Sequence, residues 1–429
     1  MTSRPIPNSV SLDASRNQVS KAWYALAILL IIYTFNYADR YLIASLAEPL
    51  KLELGLSDSF VGVLMGPAFA VLYTIFSIPL ARLADRTSRL AVICGGCVIW
   101  SAFTILSGMA TDGWTLALMR IGVGIGEAAF VAPAYALLAD YFAPNRRGMA
   151  FALFGLGIYF GQMGGYIAGP AIAATEGWRA AFVWVGALGA LFAVIGYFTV
   201  REPSRDTSMG TAKPAAPPVL ATVAALWRRP TYWRMNIGVA LGSFSGLAFG
   251  MWAPTLFVRN FDVSLAEASS KFGSAFGVAG LIGMFLFGAL SDRLTARDIN
   301  WPLRLSAIAL LSATIAVSCA TVAPSMDVVL MIAIPSGLLG GGWVIGALSS
   351  LQRILDDSIR STGVAIFNFV TTFAGLVFGP FAVGVLSDAL GGGADGLQNA
   401  VLLAISPGVI GAWLFWSASR TLKQDVTEA

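Results

Sequence analysis

The chain alternates between long apolar runs and short polar or charged breaks. A helix needs about 20 apolar residues to cross the hydrocarbon core of a bilayer, because it rises only about 1.5 Å per residue. Twelve runs of this kind follow one another, near residues 22–47, 57–81, 89–109, 114–139, 148–173, 179–199, 232–257, 270–291, 302–323, 326–350, 361–386 and 397–418. We therefore predict an all-α, polytopic membrane protein with twelve transmembrane helices, numbered here as spans 1 to 12.

The longest polar break lies between spans 6 and 7. Residues 201–230 are rich in proline, alanine and charged side chains, a composition typical of a linker. The break divides the chain into an N-terminal six-helix bundle (1–200), a linker (201–230) and a C-terminal six-helix bundle (231–429). Part of the linker, Val219 to Trp227, has the pattern of a short surface helix.

Composition agrees with a membrane protein and narrows its chemistry. Apolar residues make up 57% of the 429 residues and charged residues only 12%, whereas soluble domains carry about 25% charged residues. The chain has no histidine, which excludes histidine proton relays and histidine metal ligands. Cys94 and Cys97 have redox or zinc spacing, but they lie inside an apolar helix and indicate packing. We expect no metal, cofactor or disulfide. The sequence also offers no set of catalytic residues of the kind that a membrane enzyme needs, so we do not expect an enzyme.

Basic residues are distributed unequally between the two sides of the membrane. Of the 27 lysines and arginines, 21 fall on the side that carries both termini, 4 on the other side and 2 inside spans. Cytoplasmic loops carry the excess of basic residues, so both termini are expected in the cytoplasm. The net charge of +4 then reflects topology, and we expect no nucleic-acid partner.

Four ionisable residues lie well inside the predicted spans: Asp39 and Arg40 in span 1, Arg120 and Glu127 in span 4. Each charge costs about 2.5–3.5 kcal/mol at the bilayer centre unless it is paired or solvated. Counted along the helices, Asp39 and Arg120 lie at similar depth, roughly 10 Å from the extracellular boundary, and Glu127 lies near the midplane. Our hypothesis is that Arg120 exchanges partners between Asp39 and Glu127 as protons bind and leave. The alternative is a permanent ion-pair cluster that orients the helices.

Polar and aromatic side chains on other span faces predict a central cavity. In the first half the polar stripe of span 1 and a similar spacing in span 5 supply candidates, and the second half supplies fewer, within long apolar stretches. The predicted cavity residues are Tyr33, Asn36, Tyr37, Tyr159, Gln162, Trp252, Trp343 and Asn368. Core packing is the alternative interpretation of each. A cavity with one charged wall and one apolar wall suits an amphiphile with a polar head and an apolar tail.

A short charged motif occurs after span 2 and again after span 8. The sequence ARLADRTSR (residues 81–89) contains Asp85, Arg86 and Arg89, and GALSDRL (288–294) contains Asp292 and Arg293; the two Asp-Arg pairs are 207 residues apart. This repeat resembles the cytoplasmic loop motif of the major facilitator superfamily, although Ala81 and Ser88 stand where glycine is usual. The resemblance implies two pseudo-symmetric six-helix bundles and a cytoplasmic gate formed by these five charged residues.

Three segments also resemble the Spinster branch of that superfamily: NYADRY (36–41), RIGVGIGEA (120–128) and residues 151–170. The resemblance implies that Asp39, Arg40, Arg120 and Glu127 are the intramembrane charges of that branch, whose eukaryotic members move sphingosine phosphate or lysophospholipids. It leads us to expect a monomeric, proton-coupled, alternating-access transporter of a lipid-like amphiphile in a bacterial inner membrane. The first segment also resembles proton symporters of small organic anions such as sugar acids, which remains the alternative function.

Overall fold

The computed structural model describes residues 9–203, 223–224, 226–261, 263–356 and 359–427. These residues contain twelve helices long and apolar enough to cross a membrane, which confirms the predicted all-α architecture. Most of the predicted linker, with most of its predicted surface helix, lies outside the described residues. The spans are Val19–Ser45, Asp58–Arg86, Arg89–Ser107, Gly113–Tyr141, Pro144–Glu176, Trp178–Thr199, Pro230–Asn260, Leu265–Thr295, Trp301–Thr321, Met326–Leu351, Thr362–Ala389 and Gly393–Val426.

In four spans the α-helix is interrupted at a position where the apolar pattern of the sequence continues. Span 2 consists of the helices Asp58–Met65 and Pro67–Arg86, and span 12 of Gly393–Ile405 and Pro407–Thr427. Both interruptions precede a proline, which has no backbone N–H to donate to the preceding helical turn. Span 4 is interrupted after Glu127, and a π-helical turn, Phe373–Phe378, lies within span 11.

The helices pack as two bundles with a related pattern of neighbours. In the first bundle span 4 packs on spans 2 and 3, and span 3 on span 6. The second bundle repeats these pairs with span 10 on spans 8 and 9, and span 9 on span 12. This correspondence supports the two six-helix halves indicated by the repeated Asp-Arg motif.

The most extensive helix pair joins spans 1 and 5. Span 5 carries glycine at every fourth position from Gly157 to Gly169, so that its backbone lies directly against span 1. A Cβ atom at Gly161 would lie 2.4 Å from the carbonyl oxygen of Thr34, and one at Gly165 would lie 2.7 Å from that of Ala38. This close approach holds span 1, with its charged residues, in one position.

The two halves contact each other mainly away from the linker. We call the face that carries the connection from span 6 to span 7 the linker face, and the other the opposite face. Span 2 packs on span 11 and span 5 packs on span 8. The inter-half contacts of Gly62 with Phe381 and of Gly273 with Tyr166 lie in the parts of these spans nearer the opposite face. The structure is therefore closed at the opposite face.

Candidate functional site

The four intramembrane charges form two ion pairs between spans 1 and 4. A terminal nitrogen of Arg120 (Nη1) lies 2.7 Å from Oδ2 of Asp39, and Nε of Arg40 lies 2.7 Å from Oε2 of Glu127. All four residues are at most 5% exposed. Because each acid has a basic partner, the cluster is electrically neutral, which is the arrangement that a low-dielectric interior requires.

Span 3 adds one more contact to this cluster. The hydroxyl of Thr104 donates a hydrogen bond of 2.8 Å to Oδ1 of Asp39, so each oxygen of the Asp39 carboxylate has one donor. Thr104 was not predicted as a site residue. Its only signal in the sequence is the spacing of Cys97, Ser101 and Thr104, which places three small polar side chains on one face of an apolar helix.

Aromatic rings surround the guanidinium of Arg40. Its central carbon lies 4.8 Å from the ring centroid of Tyr37, 5.0 Å from that of Phe69 and 4.7 Å from that of Tyr73. Cation–π attraction stabilises a desolvated arginine at these distances. Arg120 lies 5.2 Å from the same Phe69 ring, which therefore stands between the two arginines.

Several polar atoms of the cluster remain without a hydrogen-bond partner among the described residues. They are Nη2 of Arg40, Nε of Arg120, Oε1 of Glu127 and both amide atoms of Asn36. Asn36 is fully buried and lies one helical turn before Asp39 and Arg40. Each ion pair is thus made through one nitrogen–oxygen contact, and both arginines keep further donors for a second ligand.

The observed pairing differs from our hypothesis in one respect. The hypothesis gave Arg120 two alternative partners, Asp39 and Glu127. In the structure Arg120 is paired with Asp39, and Glu127 is paired with Arg40. Partner exchange would therefore involve both arginines.

The predicted cavity residues of the first half lie beside the charge cluster. The Tyr33 and Tyr37 rings are 5.2 Å apart, and Tyr37 contacts Arg40. Tyr33 is buried and stacks on Phe154 of span 5 at 4.5 Å. Gln162 is also buried, and Tyr159 lies against Gly280 of span 8, where the two halves meet. Span 5 thus continues the polar wall from the cluster to the second half.

The three predicted residues of the second half lie apart from one another. Trp252 is fully buried, and its indole nitrogen donates a hydrogen bond of 2.9 Å to the carbonyl oxygen of Pro380. Trp343 packs against Gly242 and lies 6.0 Å from the Phe415 ring. In this conformation Trp252 is therefore packed within the second half, whereas Trp343 is half-buried. Asn368 is exposed on span 11.

A family model described as Major Facilitator Superfamily matches residues 29–377. This range includes the charge cluster, the linker and most of both bundles. The chain belongs to the major facilitator superfamily. It is a transporter of this superfamily, with the twelve-helix fold that the structure describes.

Relatives place this transporter near the Spinster branch. It is 34% identical to an MFS-type efflux pump of Mycolicibacterium smegmatis over 97% of this chain and 96% of that protein. It is 29% identical to the sphingosine-1-phosphate transporter SPNS2 of Danio rerio, covering 85% of this chain and 76% of that one. The fold also matches the crystal structure of a bacterial homolog of the human lysosomal transporter Spinster, in an inward-facing and unoccupied conformation. The two structures superpose with a TM-score of 0.85 at 27% sequence identity, and the match covers 94% of this chain and 98% of that chain. The resemblance to Spinster proteins is thereby confirmed.

The repeated Asp-Arg motif of this superfamily transporter lies at the linker face. Arg89 is 3.4 Å from Asp85 and also pairs with Asp140, and Glu202 accepts a hydrogen bond from the backbone N–H of Arg89. These contacts stay within the first half and the start of the linker. Arg86 is exposed, as are Asp292 and Arg293 of the second copy. Their predicted gating role remains a prediction.

A second charge cluster, which was not predicted, joins the halves at the opposite face. Arg259 of span 7 makes two hydrogen bonds of 2.8 Å to the carboxylate of Asp58 on span 2, and it lies 2.9 Å from Glu48. Asp58 is fully buried and also accepts bonds from Lys51 at 2.5 Å and Ser387 at 2.6 Å. We call these five residues the opposite-face cluster. Its members lie at span ends or, for Glu48 and Lys51, in the short helix Ala47–Leu54 that connects spans 1 and 2. Charged residues are common at such positions, so the sequence alone did not indicate the cluster.

Proposed function

We propose that this protein is a proton-coupled, alternating-access transporter of a lipid-like amphiphile of the lysophospholipid or sphingosine-phosphate type. The observation that carries the proposal is the neutral cluster of two ion pairs buried within an otherwise apolar bundle. A charged group persists in such surroundings only if it is paired or functional. The sphingosine-1-phosphate transporter among its relatives supports a substrate with an anionic head and an apolar tail.

The pairing suggests how a proton and an anion would be linked. A proton on Glu127 would cancel the charge that holds Arg40, and an anionic head on Arg40 would displace Glu127. Because both events break the same ion pair, each would raise the affinity of the protein for the other. Nη2 of Arg40, which has no partner among the described residues, is available for the first contact with the head group.

The energetics of proton coupling are sufficient for a substrate without net charge, such as the zwitterionic lysophosphatidylcholine. One proton that moves down a potential of about 100 mV releases about 2.3 kcal/mol. This free energy supports a roughly 50-fold gradient of a neutral substrate, since each 1.4 kcal/mol corresponds to about a factor of ten.

A proton-coupled symporter of small organic anions is the second candidate. Two buried arginines with free donors would also bind a carboxylate, and the apolar second half would then serve only for packing. The two candidates differ in whether the substrate needs an apolar tail.

Uptake into proteoliposomes distinguishes these functions. The purified protein is reconstituted and presented with lysophosphatidylcholine, sphingosine phosphate or gluconate, with and without an imposed pH gradient. We expect gradient-dependent, saturable movement of a lipid and none of gluconate. Saturable movement of gluconate that lipids do not inhibit would reverse the ranking.

We also propose that the linker face lies in the cytoplasm of a bacterial cell, with the protein in the inner membrane as a monomer. The excess of lysine and arginine on this face supports the orientation. The observed state, closed at the opposite face, would then be inward-facing. A fluorescent protein that folds only in the cytoplasm tests this orientation: it should fluoresce when fused to the C-terminus, and a dark fusion that is present at full length would contradict it.

A further inference from the structure

The hydroxyl of Thr104, beside the charge cluster, lies within hydrogen-bond distance of two acceptors. Its hydroxyl oxygen lies 2.8 Å from Oδ1 of Asp39 and 3.0 Å from the carbonyl oxygen of Trp100, one turn earlier on span 3. A threonine hydroxyl has a single hydrogen, so it can donate to only one of these two acceptors at a time. Thr104 and Asp39 are each only 1% exposed.

The two acceptors match the two protonation states of the carboxylate. When Asp39 is ionised, the hydroxyl donates to Oδ1, because hydrogen bonds to a charged acceptor are the stronger ones. When Asp39 is protonated, Oδ2 still faces the guanidinium of Arg120 at 2.7 Å, so the proton resides on Oδ1. The carboxyl group then donates to the Thr104 oxygen, and the threonine hydrogen turns to Trp100.

We infer that Thr104 is a positioning residue that sets the proton affinity of Asp39 and directs its proton to Oδ1. The inference rests on the proposed proton coupling and on the hypothesis that Asp39, like Glu127, binds and releases a proton. A threonine that served only to pack span 3 would need no second acceptor, since the bond to Trp100 already satisfies a buried hydroxyl. The geometry thus provides a hydroxyl that stays hydrogen-bonded in both states of the carboxylate.

Other titratable and charged groups lie on the spans of this half and on span 7, and they must be held constant. Arg40, Tyr37 and Tyr41 lie on the same span as Asp39. Span 4 carries Arg120 and Glu127. Span 2 carries Tyr73, and span 3 carries Cys97. Span 5 adds Tyr159 and Tyr166. Spans 6 and 7 carry their titratable side chains towards their ends, at Arg179, Tyr197, Tyr232, Arg234 and Arg259. A substitution of Thr104 changes none of these groups.

Infrared titration of the purified protein tests the inference without a substrate. The C=O stretch of protonated Asp39 is identified as the band that Asp39→Asn removes. In Thr104→Val the ionised carboxylate loses its hydroxyl donor, while the neutral form loses only a weaker bond. We therefore expect the titration midpoint to move upward by about one pH unit, a tenfold change in proton affinity.

Two control variants show whether a shift of the titration midpoint is specific to the Thr104 hydroxyl. Thr104→Ser retains the hydroxyl and should keep the wild-type midpoint. Ser101→Ala removes another buried hydroxyl from the same helix, one that makes no hydrogen bond to Asp39, and should also leave the midpoint unchanged. Each variant is first checked for a symmetric peak in size-exclusion chromatography, and Thr104→Ala replaces Thr104→Val if the latter does not fold.

Three results would overturn the inference: an unchanged midpoint in the folded Thr104 variant, an equal shift in Thr104→Ser, or an Asp39 band that never titrates. Failure of the proposed function looks different. If the shift occurs as expected but proteoliposomes move no lipid, then the role of Thr104 stands and the proposed substrate is wrong.

Discussion

Replacement of Arg259 by alanine should open the face that is closed in this structure. Arg259 is 8% exposed at its side chain and binds the fully buried Asp58 through two nitrogen atoms across the two halves. Loss of one partner from a buried ion pair costs about 3–5 kcal/mol. Lys51 and Ser387 still donate to Asp58 in the variant, so we take the lower end, about 3 kcal/mol. Because the pair joins the halves only when they are together, the ratio of closed to open states should fall roughly a hundredfold.

Double electron–electron resonance between spin labels on the two halves measures this change. Cysteines replace Leu52 in the first half and Leu390 in the second, both exposed near the opposite face, and Cys319, which is exposed, is replaced by serine. The Arg259→Ala variant should gain a population at longer distance. Lys271→Ala is the matched control, because it breaks an exposed ion pair with Glu267 near the same face, which is worth at most about 1 kcal/mol. A distance distribution equal to wild type in Arg259→Ala would refute the reasoning.

Three further predictions concern stability and closure. Glu127→Gln leaves Arg40 buried without an acid and should lower the free energy of unfolding by about 3–5 kcal/mol; a thermal melt should record the loss, and the double variant with Arg40→Gln should recover part of it. Gly66→Val should favour the open opposite face, because even a Cβ atom at Gly66 would lie 2.8 Å from the carbonyl oxygen of Val377 across the two halves; the spin-label distances report this shift, and an unchanged distribution would contradict it. Tyr166→Phe removes a hydrogen bond to span 7 and should weaken closure by only about 0.5–1.5 kcal/mol; a shift as large as that of Arg259→Ala in the same assay would contradict this ranking.

Spans and cluster membership could be predicted because both depend on position along a helix. Apolar run length determines whether a helix can cross a bilayer, and the cost of an unpaired charge requires Asp39, Arg40, Arg120 and Glu127 to find partners. The partner of Glu127 could not be predicted in this way. Counting residues gives depth in the membrane but not the lateral packing of two helices, and Arg40 reaches Glu127 through that packing.

Contacts between elements that are far apart in the sequence were harder to predict than the spans. The opposite-face cluster unites residues from spans 2, 7 and 11 and from the short helix Ala47–Leu54 between spans 1 and 2. Each of its charged members, taken separately, resembles an ordinary charge near the end of a helix. Trp252 and Trp343 were among the predicted cavity residues, with core packing as the alternative interpretation of each. In the structure both are packed against neighbouring helices of the second half. A residue type alone therefore does not tell a cavity wall from a helix interface.

Proton movement that depends on lipid tests the central claim most directly. Proteoliposomes loaded with a pH-sensitive dye receive lysophosphatidylcholine in the absence of an imposed gradient, and the internal pH is followed. Our account predicts a saturable pH change with wild-type protein that Glu127→Gln abolishes while the lipid still binds. An internal pH that stays constant while wild-type protein moves the lipid would contradict it.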